Sequence, residues 1–267
     1  MKEIFIRATF GAIYVIILLA AIFISSYTYF GLILLLGLIS LQEFLKLIHL
    51  KSIVLYGILI LFLYYFSYLQ FDFYATKLLL ILTGFVNLFL FKDLLWTSII
   101  PMFEKKKYIV SIFYLISGFV FLAMIPLDKY EYNPFLIASI FVLIWANDIF
   151  AFLIGKRFGK RKLFERISPN KTVAGFLGGM GACIVSGLLI SYFLNTHNLF
   201  FWLGLAILIS FIGPIGDLIQ SKFKRQAGVK DSGTLIPGHG GAYDRLDSLI
   251  YSSPFIYTYI TLANYVS

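Results

Sequence analysis

The sequence predicts an all-α fold: a polytopic membrane helical bundle of about nine transmembrane helices, with the amino terminus cytoplasmic and the carboxyl terminus external. Of its 267 residues 60% are hydrophobic and only 13% are charged, about half the charged share with which a soluble domain covers its surface. Mean hydropathy is +0.91, and apolar windows long enough to cross a hydrocarbon core recur along the chain. Disorder is excluded by the 29 Phe and 18 Tyr. A single cysteine, Cys183, excludes an intramolecular disulfide framework and a Cys-rich metal site.

The windows run over residues 10–26, 29–47, 53–69, 78–91, 108–127, 134–154, 176–194, 200–220 and 248–266. The first follows a basic start at Lys2 and Arg7 but has no convincing small-x-small cleavage site, so it reads as a retained span rather than a signal peptide. The fourth is short and borrows residues 73–77. Along an alternating path, 20 of the 22 Lys and Arg fall on the amino-terminal side, leaving only Lys77 and Lys129 opposite. That partition is the positive-inside pattern and sets the expected orientation. No fixed repeat or lipidation motif interrupts the chain, so residues 1–267 are expected to form one integral-membrane domain. Residues 1–130 would be scaffold helices and 131–267 a catalytic half with cytoplasmic loops 155–173 and 221–247.

Those two loops concentrate the polar chemistry. The first carries seven cations against one acid, Glu165. Lys160, Arg161 and Lys162 suit topology alone, because each cation gains about 1 kcal/mol beside anionic headgroups. Ser168, Pro169, Lys171 and Thr172, just before the small-residue run 174–181, fit a phosphate cradle beside a helix amino terminus. Gly175, Gly178 and Gly179 fit close helix packing equally well.

In the second region Asp217 follows Gly213, Pro214 and Gly216, which are expected to interrupt the eighth helix and open a polar cavity at membrane depth. Asp244 and Asp247 stand three apart, on one face of the last helix. Carboxylates this near a bilayer are usually paired, metal-bound or functional. With no cysteine or spare histidine beside them, Asp217, Asp244 and Asp247 make an oxygen site suited to Mg²⁺; capping of the last helix is the competing reading of the pair. The glycines of Pro237-Gly-His239-Gly240-Gly241 let backbone N–H groups approach an anion, and His239 suits a phosphate ligand or proton carrier. Cations for a polyphosphate and acids for Mg²⁺, at a cytoplasmic membrane face, imply phosphoryl or nucleotidyl transfer to a lipid phosphate. No GxxxxGK[ST] loop is present, so an ATPase motor is not expected, nor is a nucleic-acid partner.

The run Ser221-Lys-Phe-Lys224-Arg225, then Lys230-Asp231, Ile236-Pro237-Gly-His239-Gly240-Gly241 and Asp244-Arg245-Leu246-Asp247 resembles the signature of phosphatidate cytidylyltransferases (CDP-diacylglycerol synthases). Upstream, Asp148 to Lys156, Gly159-Lys160 and Ser168-Pro169-Asn-Lys171-Thr172-Val-Ala-Gly175 are similar to the family's second stretch. Ala242 stands where the family has a larger residue, and Ala174 replaces a glutamate. The resemblance implies transfer of CMP from CTP to phosphatidate, giving CDP-diacylglycerol and diphosphate, with Mg²⁺ and a monovalent cation such as K⁺ as a candidate second ion. Asp217, Asp244 and Asp247 would hold the metal. Lys224, Arg225, Lys230 and Lys171 would hold phosphates, Arg245 would orient the metal ligands, and His239 would be a phosphate ligand. Asp148, Ser168, Thr172, Ser221, Asp231, Gly240 and Gly241 would complete the substrate site. Phosphatidate, CTP and membrane lipids are the expected partners, in a bacterial inner (cytoplasmic) membrane with the active site on its cytoplasmic face. An interface between spans could also serve a homodimer, though no residue demands one.

Two other classes compete. A CDP-alcohol phosphotransferase also sets aspartates on helices at a membrane face, but its DGxxAR…GxxxDxxxD pattern is missing. An ion-coupled transporter would use Asp148 and Asp217 around a broken helix, and would need acids near mid-bilayer and paired halves.

Overall fold

A computed structural model describes residues 2–128, 131–194, 196–235 and 240–266. The helices are α1 (Lys2–Ile24), α2 (Ser26–Leu47), α3 (Val54–Phe62), α4 (Phe73–Trp96), α5 (Glu104–Val110), α6 (Ser117–Met124), α7 (Pro134–Phe158), α8 (Val173–Leu194), α9 (Leu199–Gln226) and α10 (Tyr243–Val266). A π-helical stretch, Leu63–Tyr68, prolongs α3, and another, Ser111–Ile116, joins α5 to α6. Each of the nine sequence windows thus lies largely within one continuous helical rod. Their starts follow local chemistry. Ser25 and Thr28 form a reciprocal capping box on α2, Asp72 caps α4, and Asn133 precedes Pro134 at the first turn of α7.

Six rods are long and apolar enough to cross a membrane: Ser26–Leu47, Phe73–Trp96, Glu104–Met124, Pro134–Phe158, Val173–Leu194 and Leu199–Gln226. Thr9–Ile24 and Val54–Tyr68 are shorter apolar helices. The last rod, α10, is more polar for a reason visible in its contacts. It packs against α2, α4, α6 and α9, and its hydroxyls bond to their carbonyls instead of facing lipid. Ser253 Oγ donates to Gly118 O at 2.6 Å, Tyr251 OH to Asn87 O at 3.1 Å and Tyr259 OH to Phe201 O at 2.9 Å.

Three details position the functional region. The expected break in the eighth span is absent: α9 runs unbroken through Pro214. Proline costs the helix one backbone hydrogen bond, and here neighbouring helices hold the rod together. The flanking glycines act in packing, since a Cβ on Gly216 would stand 2.7 Å from Tyr251 Cβ and 2.8 Å from Asp247 O on α10. At its far end α9 is fixed to α4 by Lys222, whose buried ammonium donates to Asp93 O, to Thr97 O at 2.8 Å and to Thr97 Oγ1 at 3.1 Å. It then closes with Gly228 in the left-handed region (φ 73°), Gly228 N–H donating to Arg225 O and Val229 N–H to Lys224 O.

The loops are shorter than the sequence suggested, because residues 221–226 and 243–247 are helical. Two short strands ahead of α7, β1 (Leu127–Asp128) and β2 (Glu131–Tyr132), pair antiparallel, and the first loop contains a β-hairpin, β3 (Lys162–Phe164) paired antiparallel with β4 (Ser168–Thr172), which feeds directly into α8. A Cβ on Gly175 would stand 2.6 Å from Ala151 O, and one on Gly179 2.6 Å from Asn147 O. The glycines that follow the hairpin therefore bring the α8 backbone against α7, the packing alternative of the two the sequence left open.

Candidate active site

Side chains from α7, β4, α8, α9 and α10 enclose a cavity of about 410 Å³. Each element delivers its charged groups for a local reason. β4 carries Lys171 to α9, where its Nζ lies 2.5 Å from Asp217 Oδ2. Ser221, one helical turn along, donates to Asp217 Oδ1 at 3.1 Å. Thr172 caps α8, its Oγ1 accepting from Gly175 N–H at 3.1 Å. Asp148, Asp217, Asp244, Asp247, Lys171, Lys224 and Arg245 all line this one cavity, with Ser168, Thr172 and Asp231 at its wall. These residues lie up to a hundred positions apart in sequence.

The acids do not share one environment. Asp244 is buried and nearly saturated with donors: Oδ1 accepts from Lys224 Nζ at 2.7 Å and Gln220 Nε2 at 3.0 Å, and Oδ2 from Ser232 N–H at 2.8 Å and Gly241 N–H at 2.9 Å. Burial alone would raise its carboxyl, but the Lys224 ammonium and the two backbone N–H groups hold it below the usual carboxylate range. The turn that aims Gly241 N–H at it depends on Gly240, whose φ of 85° is left-handed. Among the described residues Asp247 accepts only from its own neighbour Ser248 N–H at 2.7 Å, while Asp148 and Arg245 are exposed within the cavity.

Glu43, in the half expected to be scaffold, is the residue that sequence reasoning missed. Buried at the end of α2, it accepts from Ala242 N–H at 3.1 Å, Tyr243 N–H at 3.0 Å and Ser232 Oγ at 2.7 Å. It therefore caps α10 and fastens the loop before it. Ser232 Oγ also lies 2.9 Å from Asp244 Oδ2, so the two carboxylates compete for its single proton. A Cβ on either Gly233 or Gly241 would collide with the Glu43 carboxylate. Its neighbour Phe44 packs edge-to-face on Tyr243 and Phe223, and Tyr243 OH pairs with Tyr114 OH at 2.8 Å. The signal was a lone acid, Glu43, near the end of a greasy helix. A second overlooked residue, buried Asn147, lines the cavity beside Asp148.

Not every expected residue is brought in. Arg225 lies exposed beyond the cavity, its guanidinium reaching only Val229 O at 3.4 Å, and Lys230 is exposed on the loop. Gly240 and Gly241 act through backbone geometry on Asp244. His239 lies outside the described residues. Among the described residues no three His, Cys, Asp or Glu side chains converge as a ready-made metal cage. The carboxylates of Asp148, Asp217 and Asp247 still suit Mg²⁺, which commonly takes one or two protein carboxylates and completes its shell with water and substrate phosphate. Asp244, with both oxygens engaged, serves as an anchor in this geometry.

The chain resembles known proteins. It is 40% identical over 149 residues to the phosphatidate cytidylyltransferase of Staphylococcus aureus (strain COL), a stretch covering 55% of this chain and 56% of that protein. It is 39% identical over 150 residues to that of Staphylococcus haemolyticus (strain JCSC1435), with the same coverage. In each case the match spans about half the length of the relative. A profile of the cytidylyltransferase family reaches further, matching residues 5–263. With a match across nearly the whole chain, the helical bundle and its charged cavity are those of a member of the cytidylyltransferase family.

Proposed function

We propose that this protein transfers CMP from CTP to phosphatidate, forming CDP-diacylglycerol and diphosphate. The observation that carries this reading is the single cavity in which Lys171, Lys224 and Arg245 face Asp148, Asp217 and Asp247, in a chain whose family is cytidylyltransferase. A phosphatidate oxygen attacks the α-phosphorus of CTP, a new P–O–P bond forms, and the bond from the α- to the β-phosphate breaks to release diphosphate. The nucleophile is already an anion, so no strong base is needed. Catalysis is then positioning and charge neutralisation. Lys171 and Lys224 neutralise the triphosphate, and Lys171 can exchange its partner Asp217 for phosphate. Arg245 offers a planar fork that matches phosphate oxygens. Bound Mg²⁺, held by Asp217 and Asp247 beside Asp148, would offset the charge gathering on the departing diphosphate.

We propose nine spans with the amino terminus and the cavity on the cytoplasmic side, from the 20 of 22 cations that fall there. An impermeant thiol reagent should label a cysteine placed in 155–172 only in inside-out vesicles; labelling in right-side-out vesicles would reverse the orientation. The activity is tested by incubating purified protein with phosphatidate, CTP and Mg²⁺. Diphosphate release dependent on both substrates is expected, and its absence refutes the reaction.

A further inference from the structure

The wall of acids has a second side. Asp148, Asp244, Arg245 and Asp247 also line a separate cavity of about 380 Å³ whose remaining walls are largely apolar. Tyr14 and Val15 of α1 face Ile144, Trp145 and Ile149 of α7 across it, and no residue of the polar hairpin takes part. A third hollow, of about 190 Å³, lies between α1 and α2, is lined by side chains such as Phe10, Ile17 and Leu36, and shares Tyr14 with the second. The Tyr14 hydroxyl is buried at this junction with no hydrogen-bond partner among the described residues. Buried hydroxyls are ordinarily paired, so the position calls for an acceptor supplied by something else. The outer side of α1, with Ile13, Ile16 and Ile17, is exposed and apolar, so the cleft borders the surface that faces lipid.

Resting on the reaction proposed above, we infer that the α1–α7 cleft is the subsite for the lipid phosphate, with Tyr14 and Arg245 holding its headgroup and the hollow along α1 taking acyl chain. The first cavity, which Lys171, Lys224 and Asp217 line, is left to the nucleotide. An amphiphile needs an apolar path that ends at cations, and this cleft runs from Phe10 and Ile17 through Tyr14 to Arg245. A nucleoside triphosphate has no use for such a path. Arg245 lines both cavities beside Asp148, Asp244 and Asp247, so the two phosphates can meet at one wall from different sides, the arrangement an in-line displacement requires. Glu43 and Ser232 reach the same wall through Asp244 but face the loop, and neither lines the cleft.

Trp145 reports occupancy. Full-length protein in phosphatidylcholine nanodiscs would be titrated with phosphatidate bearing brominated acyl chains, and separately with phosphatidylcholine bearing the same chains. Brominated phosphatidate should quench tryptophan emission saturably and beyond the phosphatidylcholine control, and Trp145→Phe should abolish that excess. Tyr14→Phe removes one hydroxyl and should weaken apparent phosphatidate affinity about tenfold, the effect of one hydrogen bond to a charged group. In turnover it should raise KM for phosphatidate by the same factor and leave KM for CTP unchanged. Quenching independent of headgroup, an excess that survives in Trp145→Phe, or wild-type affinity in Tyr14→Phe would each overturn the subsite. Saturable binding without diphosphate release from the wild type would uphold the subsite and refute the reaction.

Discussion

Asp244 and Asp247 lie one helical turn apart on α10, line the same cavity and differ in what surrounds them. Asp244 accepts from a lysine, a glutamine and two backbone N–H groups; among the described residues Asp247 accepts from its neighbour's N–H alone. The contrast extends to a pair of regions. Glu43 and Asp244, with Ser232, Gly241 and Ala242 from the segment between α9 and α10, form an anchor in which each carboxylate oxygen already has a donor. Asp148 and Asp247 form, with Asp217, a wall on the cavity; Asp217 is held by two side chains, Ser221 and the exchangeable ammonium of Lys171. A carboxylate with its lone pairs filled holds protein; one with free lone pairs can hold substrate or cation. Spacing in the sequence, the same for both roles, does not separate them.

Substitution should separate them, with activity the larger effect. Asp217→Asn and Asp247→Asn should each lower diphosphate release by at least about 10²-fold, the scale for losing a preorganised charge at a phosphoryl site, while thermal unfolding in detergent stays near wild type. Asp244→Ala should instead destabilise by about 3 kcal/mol, because it strands the Lys224 ammonium and two N–H groups in a buried place. Glu43→Gln keeps one acceptor oxygen and should cost about 1–3 kcal/mol through the N–H group it leaves unpaired. An Asp244→Ala protein with wild-type stability and no activity would dissolve the distinction, and Asp244 would join the wall.

The acids of the cavity were legible in the sequence, Asp244 among them; Glu43, and with it Asp244's part in the anchor, was not. Asp217, Asp244 and Asp247 were visible because charge is scarce in a chain that is 13% charged, and a carboxylate in an apolar segment is costly unless used; Asp148 entered through the family resemblance. Lys171 was singled out by its place in a turn with Pro169, Ser168 and Thr172, and Lys224 by the family resemblance. Glu43 was not, since its partners Ala242 and Tyr243 are some 200 residues away and two of its bonds go to backbone N–H groups that leave no trace in a sequence. The helical windows were read from hydropathy, yet Pro214 suggested a break that α9 does not have, because a lost backbone bond can be tolerated in a rod gripped by α8 and α10. The polar character of α10 was likewise unreadable, depending on carbonyls of Asn87, Gly118 and Phe201 that accept its hydroxyls.

The glycines of α8 allow the same separation of scaffold from site at a smaller scale. Gly179 and Gly181 belong to one small-residue run, and a phosphate cradle at the helix start would use both for backbone access alone. Their surroundings differ. A Cβ on Gly179 would stand 2.6 Å from Asn147 O, 2.8 Å from its Oδ1 and 3.0 Å from Ala151 Cβ, whereas a Cβ on Gly181 would meet nothing within 4 Å. Gly179→Ala should push α8 from α7 and destabilise by about 1–3 kcal/mol, the range for overpacking a close contact. It should also lower activity, since Asn147 and Asp148 on that face of α7 line the cavity. Gly181→Ala should be neutral or stabilise by up to about 1 kcal/mol, through the higher helix propensity of alanine. Thermal unfolding and diphosphate release on the two variants give the answer: equal effects would mean that α8 is not seated on α7 by its glycine backbone, and a large gap would place the grip at Gly179.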